Sequence, residues 1–315
     1  MKKTFAFFKR HKAFTVYLVL VLLIVLVSLF AKQIAPYDPT ASKLRNAFQP
    51  PSPEHRFGTD FLGRDLFSRV VFGTRVSISS ALILVAAAML LGGLLGIVAG
   101  FAGGGVDAFI MRLCDTMLAF PDLILAIAIA GILGPSFVNA IIAILAVSWT
   151  KYARLARSTV LKIKQRDYIA AAQTTGSKGS HILSAYLIPN ALPTLLTTAM
   201  LDIGTTMLSV SSLSFLGFGI QPPTPEWGYM LSEGRSYIQT APWLMVYPGL
   251  SILITVVAFN LLGDSIRDIL DPGTRRSHKK KKKTRVKIRV YQPVKTITIN
   301  SKLVYPYMQK GGTTQ

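Results

Sequence analysis

The sequence predicts an all-α integral membrane protein with six transmembrane helices and a cytoplasmic loop made of two short helices. Three observations carry this. Apolar residues make up 51% of the 315 residues and fall in long blocks, which places the chain among membrane proteins. Six of those blocks are long enough, at about 20 helical residues, to cross a bilayer core. Between the fourth and fifth lies a stretch too polar and too punctuated by Gly to cross, yet patterned as helix.

The first span is read as Ala13 to Ile34, after the basic start "MKKTFAFFKRHK". Its length and the weak cleavage site in "AKQIAPYDP" make it an uncleaved anchor rather than a leader. The others are expected over about Val76 to Phe101, Val106 to Leu133, Phe137 to Val160, Ala191 to Leu216 and Leu244 to Leu262. Basic residues before span one (Lys2, Lys3, Lys9, Arg10, Lys12) and around the end of span four (Lys151, Arg154, Arg157, Lys162, Lys164, Arg166) orient both regions to the cytoplasm. Six spans then leave both termini inside a multi-pass cell-membrane protein, with Ala35 to Arg75 and Gly217 to Trp243 outside. The first outer loop resists this rule, since it carries Lys43, Arg45, Arg56, Arg64, Arg69 and Arg75, partly offset by Asp38, Glu54, Asp60 and Asp65.

The chain thus divides into a cytoplasmic N-terminus and first span (1–35), an extracytoplasmic loop (36–75), a five-helix core (76–272) containing the polar stretch 167–190, and a basic tail (273–315). After Asp271 no acid appears while thirteen Lys and Arg do. Such a tail suits anionic lipid headgroups; without zinc spacing or interleaved aromatics it does not read as a nucleic-acid module. It is expected to be disordered, although "RVKIRVYQPVKTITINSKLVY" alternates somewhat like a strand.

Charges inside spans are costly and mark candidate functional positions. Asp107, Arg112 and Asp115 lie near a span end, Asp107 as a possible helix cap after "GGG", and Asp122 follows the break at Pro121. Asp202 lies deep in span five, where it can line a path or pair across an interface. The lone Cys114 reads as a small apolar residue. No phosphate-binding Gly-x-x-x-x-Gly-Lys-Ser/Thr loop is present: "GFAGGGVD" joins two apolar helices and lacks the lysine. His11, His55, His181 and His278 form neither a metal spacing nor a triad. The chain therefore reads as a non-enzyme that draws energy from elsewhere.

The polar stretch reads "RDYIAAAQTTGSKGSHILSAYLIP". Asp167 can cap a first helix, the Ala run favours it, and Gly176 can end it in the left-handed conformation. Ser180 can cap a second helix whose Ile182, Leu183, Tyr186 and Leu187 share a face, with Pro189 stopping or bending it. Two short helices hinged at Gly176 make a knob suited to a groove in a partner protein.

This layout resembles the coupling loop of binding-protein-dependent ABC importer permeases, whose motif is Glu-Ala-Ala, three residues, Gly and a later Leu-Pro. Ala171, Ala172, Gly176 and Pro189 match, with Ile188 at the Leu. Ala170 stands where the family has Glu; with Asp167 as cap it would occupy the capping-box position, and the change loosens that turn by about 0.5–1 kcal/mol. From about Phe57 to Pro272, strings such as "FGTDFLGRDLFSRVVFGTRVSIS" and "SFLGFGIQPPTPEWGYMLSEGRSYI" resemble the second permease of the dipeptide, oligopeptide and nickel subgroup. Val210 departs from a Glu often found before "SSLSFLG".

The resemblance implies a type I ABC importer permease fold and a complex with a homologous permease, two ABC ATPase subunits that carry ATP and Mg, and an extracytoplasmic solute-binding protein. No cofactor is then expected on this chain. Peptides are the default cargo and nickel or a metal chelate the alternative. Pro222, Pro223, Trp227 and Glu233, in the second outer loop, are the expected outer gate or binding-protein contact. An ion-coupled secondary carrier and a membrane scaffold are the rival classes; no internal repeat of the kind carriers show is evident.

Overall fold

The structure, a computed structural model, describes residues 11–270. The basic tail and the first ten residues, with the expectations attached to them, lie outside the described residues. Regular structure among the described residues is helical apart from one isolated bridge between Thr59 and Asp65.

Helix α1 (Lys12–Leu29) is apolar all round. It buries Val21 against Ile78, Ala258, Phe259 and Leu262 and leaves Val16, Leu22, Leu23 and Leu29 bare, as a lipid-facing helix would. Helix α2 (Leu66–Ala102) begins at Leu66 rather than near Val76. At about 1.5 Å per residue its 37 residues reach roughly 55 Å, well beyond a bilayer core of about 30 Å. The segment expected as loop is helical because Arg69 finds buried carboxylate partners and Asp65 caps the helix, accepting from the backbone N–H (2.8 Å) and hydroxyl (2.8 Å) of Ser68.

Helix α2 ends at Gly103 and Gly104, both with positive φ. The expected third span is two helices, α3 (Gly104–Leu118) and α4 (Asp122–Leu133), bent by 90° at the Phe120-Pro121 break, where proline disfavours helical geometry in the residue before it. Asp107 is not a cap. It sits in the first turn of α3 and accepts from Nε and Nη2 of Arg157, while Asp115 meets Arg154 at 2.6 Å. Helix α5 (Phe137–Lys164) follows.

The small helix α6 (Asp167–Thr174) leads into a continuous helical run, Gly179–Phe215. Its first part is a short turn (Gly179–His181), its second a π-helical segment (Ile182–Leu187), and its third α7 (Ile188–Phe215). Pro189 therefore does not stop the helix. Proline cannot make the usual i→i−4 bond, and the π-helical turns just before it supply an alternative pairing register. Helices α8 (Trp227–Gly234) and α9 (Trp243–Leu270) complete the bundle.

Among the described residues, four helices are long and apolar enough to cross a membrane: α1, α2, the Gly179–Phe215 run and α9; the bent α3–α4 pair makes a fifth if taken as one span. Helix α5 has sufficient length, 28 residues, but its second half carries Lys151, Arg154, Arg157, Lys162 and Lys164. The protein is an all-α membrane protein.

The tightest packing joins α2 to α5. Gly92, Gly96 and Gly100 recur every four residues and so form one ridge on α2. A Cβ at Gly92 would stand 2.1 Å from the Trp149 carbonyl oxygen, one at Gly96 2.1 Å from that of Ala153, and one at Gly100 3.0 Å from the Val160 side chain. Backbone thus lies on backbone, the arrangement small residues permit between membrane helices. Gly96→Leu should force the helices apart and cost about 3 kcal/mol or more, read as a lowered thermal midpoint in detergent. Gly93→Ala, whose Cβ would meet only the end of the Leu195 side chain, should stay within about 0.5 kcal/mol of the parent.

Candidate functional site

At one end of the bundle, α6 and the Gly179–Leu187 segment form a knob. Ile169 and Ala172 are buried, and Ile169 joins a cluster with Val160, Ile163, Ile182, Leu187 and Ala191, so the knob is fixed to the ends of α5 and α7. Gly176 has φ +80°. It closes α6 with two bonds, from its own N–H to the Gln173 carbonyl (3.0 Å) and from Ser177 N–H to that of Ala172 (3.0 Å), the Schellman arrangement. A Cβ there would meet nothing within 4 Å, so backbone conformation, not packing, requires this glycine.

Arg166 occupies the cap position and Asp167 is the first helical residue, without a side-chain cap bond; Ser180 likewise lies inside its helix, with Lys178 at the cap. The apolar face Ile182–Leu187 is turned inward, Ile182 and Leu187 being buried and Leu183 and Tyr186 packed against the same cluster. Asp167, Ala170, Ala171, Ile188 and Pro189 are exposed, as are Ser180 and His181. Tyr168 is also exposed, its ring 6.1 Å from that of Tyr186. The knob therefore presents mainly small and polar residues outward. Lys164 donates to the last carbonyls of α2, those of Gly100 (3.3 Å) and Phe101 (3.2 Å), placing positive charge at a helix C-terminus.

Midway along α7, Asp202 accepts from the hydroxyl of Tyr152 (2.8 Å) and from the ammonium of Lys151, both on α5. Two residues further on, Gly204 allows close approach to Asn260 of α9, where a Cβ would stand 2.2 Å from Oδ1.

The opposite end holds the segment 35–65 and α8. Arg64 and Arg69 are almost fully buried and share two carboxylates. Glu233 accepts from Arg64 Nη2 (3.0 Å) and Arg69 Nη2 (2.8 Å), while Asp60 accepts from Arg64 Nε (2.5 Å) and lies 3.6 Å from Arg69 Nε. His55 Nδ1 lies 2.8 Å from Asp65. Two of the basic residues that strained the orientation rule are thus internally paired. Trp227 is 2% exposed and donates from its indole N–H to the Val70 carbonyl (2.9 Å). Pro222 and Pro223, by contrast, are exposed. The four positions singled out in this loop therefore separate into two at the surface and two, Trp227 and Glu233, that hold α8 against α2.

Glu226 escaped the sequence reading. Fully buried, it caps α8 by accepting from Gly228 N–H (2.9 Å) and Tyr229 N–H (2.8 Å) and receives Ser77 Oγ from α2 (3.2 Å). Burial pushes its carboxyl above the usual carboxylate range, against the pull of these donors. Glutamate is not a common cap, so no local signal pointed to it.

Four or five apolar helices long enough to cross a membrane, a helical knob at one end and an ion-paired cap at the other define a polytopic membrane protein. Residues 92–276 match the model of the binding-protein-dependent transport system inner membrane component, and residues 1–51 match that of the N-terminal TM domain of oligopeptide transport permease C. The chain is 42% identical over 271 residues to the dipeptide transport system permease protein DppC of Alkalihalophilus pseudofirmus, covering 86% of this chain and 89% of that one. It is 45% identical over 254 residues to the probable D,D-dipeptide transport system permease protein DdpC of Escherichia coli (81% and 85%), and 42% identical over 255 residues to the nickel transport system permease protein NikC of the same species (81% and 92%). The chain belongs to the binding-protein-dependent transport system inner membrane components, the permease family of ABC importers.

Glu233→Ala would leave two buried guanidinium groups sharing one carboxylate. It should destabilise the protein by about 3–5 kcal/mol, seen as a lowered midpoint of thermal unfolding in detergent, with a smaller loss in the double variant Arg69→Met/Glu233→Leu.

Proposed function

We propose that this chain is a permease subunit of an ATP-driven importer of dipeptides or oligopeptides. It forms the translocation path with a homologous permease, while ATP is hydrolysed on separate ATPase subunits and an extracytoplasmic binding protein delivers the solute. The observation that carries this reading is family membership over most of the chain, combined with permeases of dipeptide systems at 42% and 45% identity. Nickel or a metal chelate is the second reading, favoured by the comparable identity to the nickel permease.

In this reading α5 is a further span and α3–α4 a broken one, making six with α1, α2, α7 and α9. The end of α5 bearing Arg154, Arg157, Lys162 and Lys164 and the knob face the cytoplasm, as do both termini, and the segment 35–65 and α8 face outward. The knob, from Asp167 to Pro189, is the coupling element that docks on an ATPase subunit. Burial of its apolar face inside the chain supports docking through the exposed face of Asp167, Ala170 and Ala171, with Gly176 setting the angle between the two helices. ATP-driven closure of the ATPases then biases a two-state permease through rigid helices. Exposed Pro222 and Pro223 are the candidate contacts for the binding protein, with Trp227 and Glu233 holding their loop in place.

Cargo is tested by isolating the cognate binding protein and measuring its ligand by calorimetry; tight binding of Ni²⁺ or a chelate with no peptide binding would overturn the peptide reading. Coupling is tested at Gly176. Gly176→Val imposes about 1–2 kcal/mol of left-handed strain on a β-branched residue. The reconstituted transporter should assemble and hydrolyse ATP yet lose at least about tenfold in uptake per ATP, the equivalent of ~1.4 kcal/mol in coupling. Parental coupling in that variant would exclude the hinge role.

A further inference from the structure

Lys151 lies near the centre of the 28-residue helix α5, and Asp202 near the centre of α7, the last 28 residues of the continuous Gly179–Phe215 run, each about 20 Å from the helix end remote from the knob at ~1.5 Å per residue. That is well inside a bilayer core of about 30 Å. Asp202 is buried, satisfied by Tyr152 and Lys151. The Lys151 side chain is 55% exposed. A half-exposed ammonium at that depth is costly in lipid even when paired. Its stem has no short path to a headgroup from the middle of a helix, so its exposed side requires water or protein.

Helix α7 continues the same character. Thr194, Thr198, Asp202, Thr205, Ser209 and Ser212 recur every three or four residues and so lie on one face. All but Asp202 are exposed or half-exposed. The run containing α7 is the least apolar of the four spanning helices. Thr198, Thr205 and Ser209 bond back to carbonyls of their own helix, at 3.0, 3.0 and 3.2 Å, a pattern that lipid also tolerates. The hydroxyls alone would not argue against lipid; the half-exposed Lys151 beside them does. The exposed positions Leu22 of α1 and Ile254 of α9, by contrast, are apolar.

We propose that the face of α7 bearing Thr198, Thr205 and Ser209, together with Lys151 of α5, lines a water-filled path that a hydrophilic solute follows, and that the Lys151–Asp202 pair is its charged station. The proposal rests on the importer reading and assigns the lining to particular residues. A solute carrying both an ammonium and a carboxylate finds an opposite charge for each at this station.

The chain's single cysteine, Cys114, is buried, so single-cysteine variants on a Cys114→Ala background test the proposal in the assembled transporter in membranes. Thr205→Cys and Ser209→Cys should react with a charged, membrane-impermeant methanethiosulfonate at least about tenfold faster than Ile254→Cys or Leu22→Cys, since thiolate chemistry needs water at the sulfur, and nucleotide trapping should change their rates. Equal, slow rates at all four positions in a complex that still drives ATP-dependent uptake would overturn the lining while leaving the importer reading intact. Fast labelling at Thr205 and Ser209 would support the lining even in a complex without ATP-dependent uptake, where the importer reading alone would fail.

Discussion

The backbone-to-backbone seating of α2 on α5 is the constraint on which the remaining architecture depends. Three glycines on successive turns let α2 approach until Trp149 and Ala153 carbonyls lie where side chains would otherwise be. Lipid offers no hydrophobic drive between helices, so close van der Waals contact must hold them. Once the pair is set, Lys164 on α5 reaches the carbonyl end of α2, and Arg154 and Arg157 fasten α3 alongside. The same α5 presents Ile163 to the knob and Tyr152 to α7. A change that separated α2 from α5 would displace every one of these contacts together.

Charge is handled differently at the two ends. Towards the knob, Asp107 and Asp115 meet arginines of α5 in partly solvated pairs, individually worth little. At the far end, Arg64 and Arg69 are almost wholly buried with Asp60 and Glu233. Burial of that kind yields little net stability, because desolvation offsets attraction, but loss of one member is severe. It also joins residues far apart in sequence, locking α8 to α2. Of the six basic residues of the first outer loop, only Arg64 and Arg69 are buried; Lys43, Arg45, Arg56 and Arg75 are exposed.

Helix existence was legible because each span is an apolar block of sufficient length, and the break at Pro121 could be read from the residue itself. The left-handed Gly176 was legible for the same local reason. Interactions that need a distant partner were not. Besides the local Asp65 cap, the helical start at Leu66 rests on Glu233 accepting from Arg69, with Asp60 ion-paired to it at 3.6 Å, and no window of sequence around Arg69 contains Glu233. The continuity through Pro189 depends on a π-helical register that propensity does not encode. Glycines 92, 96 and 100 escaped the sequence reading, because only the structure shows that α5 is what they receive. Asp202 is buried midway along its helix, as its place in an apolar block suggested; its partners, Lys151 and Tyr152, came from a segment read chiefly as basic flank.

In the proposed reading, the continuous run from Gly179 to Phe215 links the knob to the middle of the membrane helix. A helix transmits displacement along its axis as a rigid rod, so movement of the segment after Gly176 carries α7 with it, and with α7 go Asp202 and the hydroxyl-bearing face. The π-helical turns between them interrupt the α-helical register of that run. They lie where Leu187, fully buried, anchors the run to the α5 end.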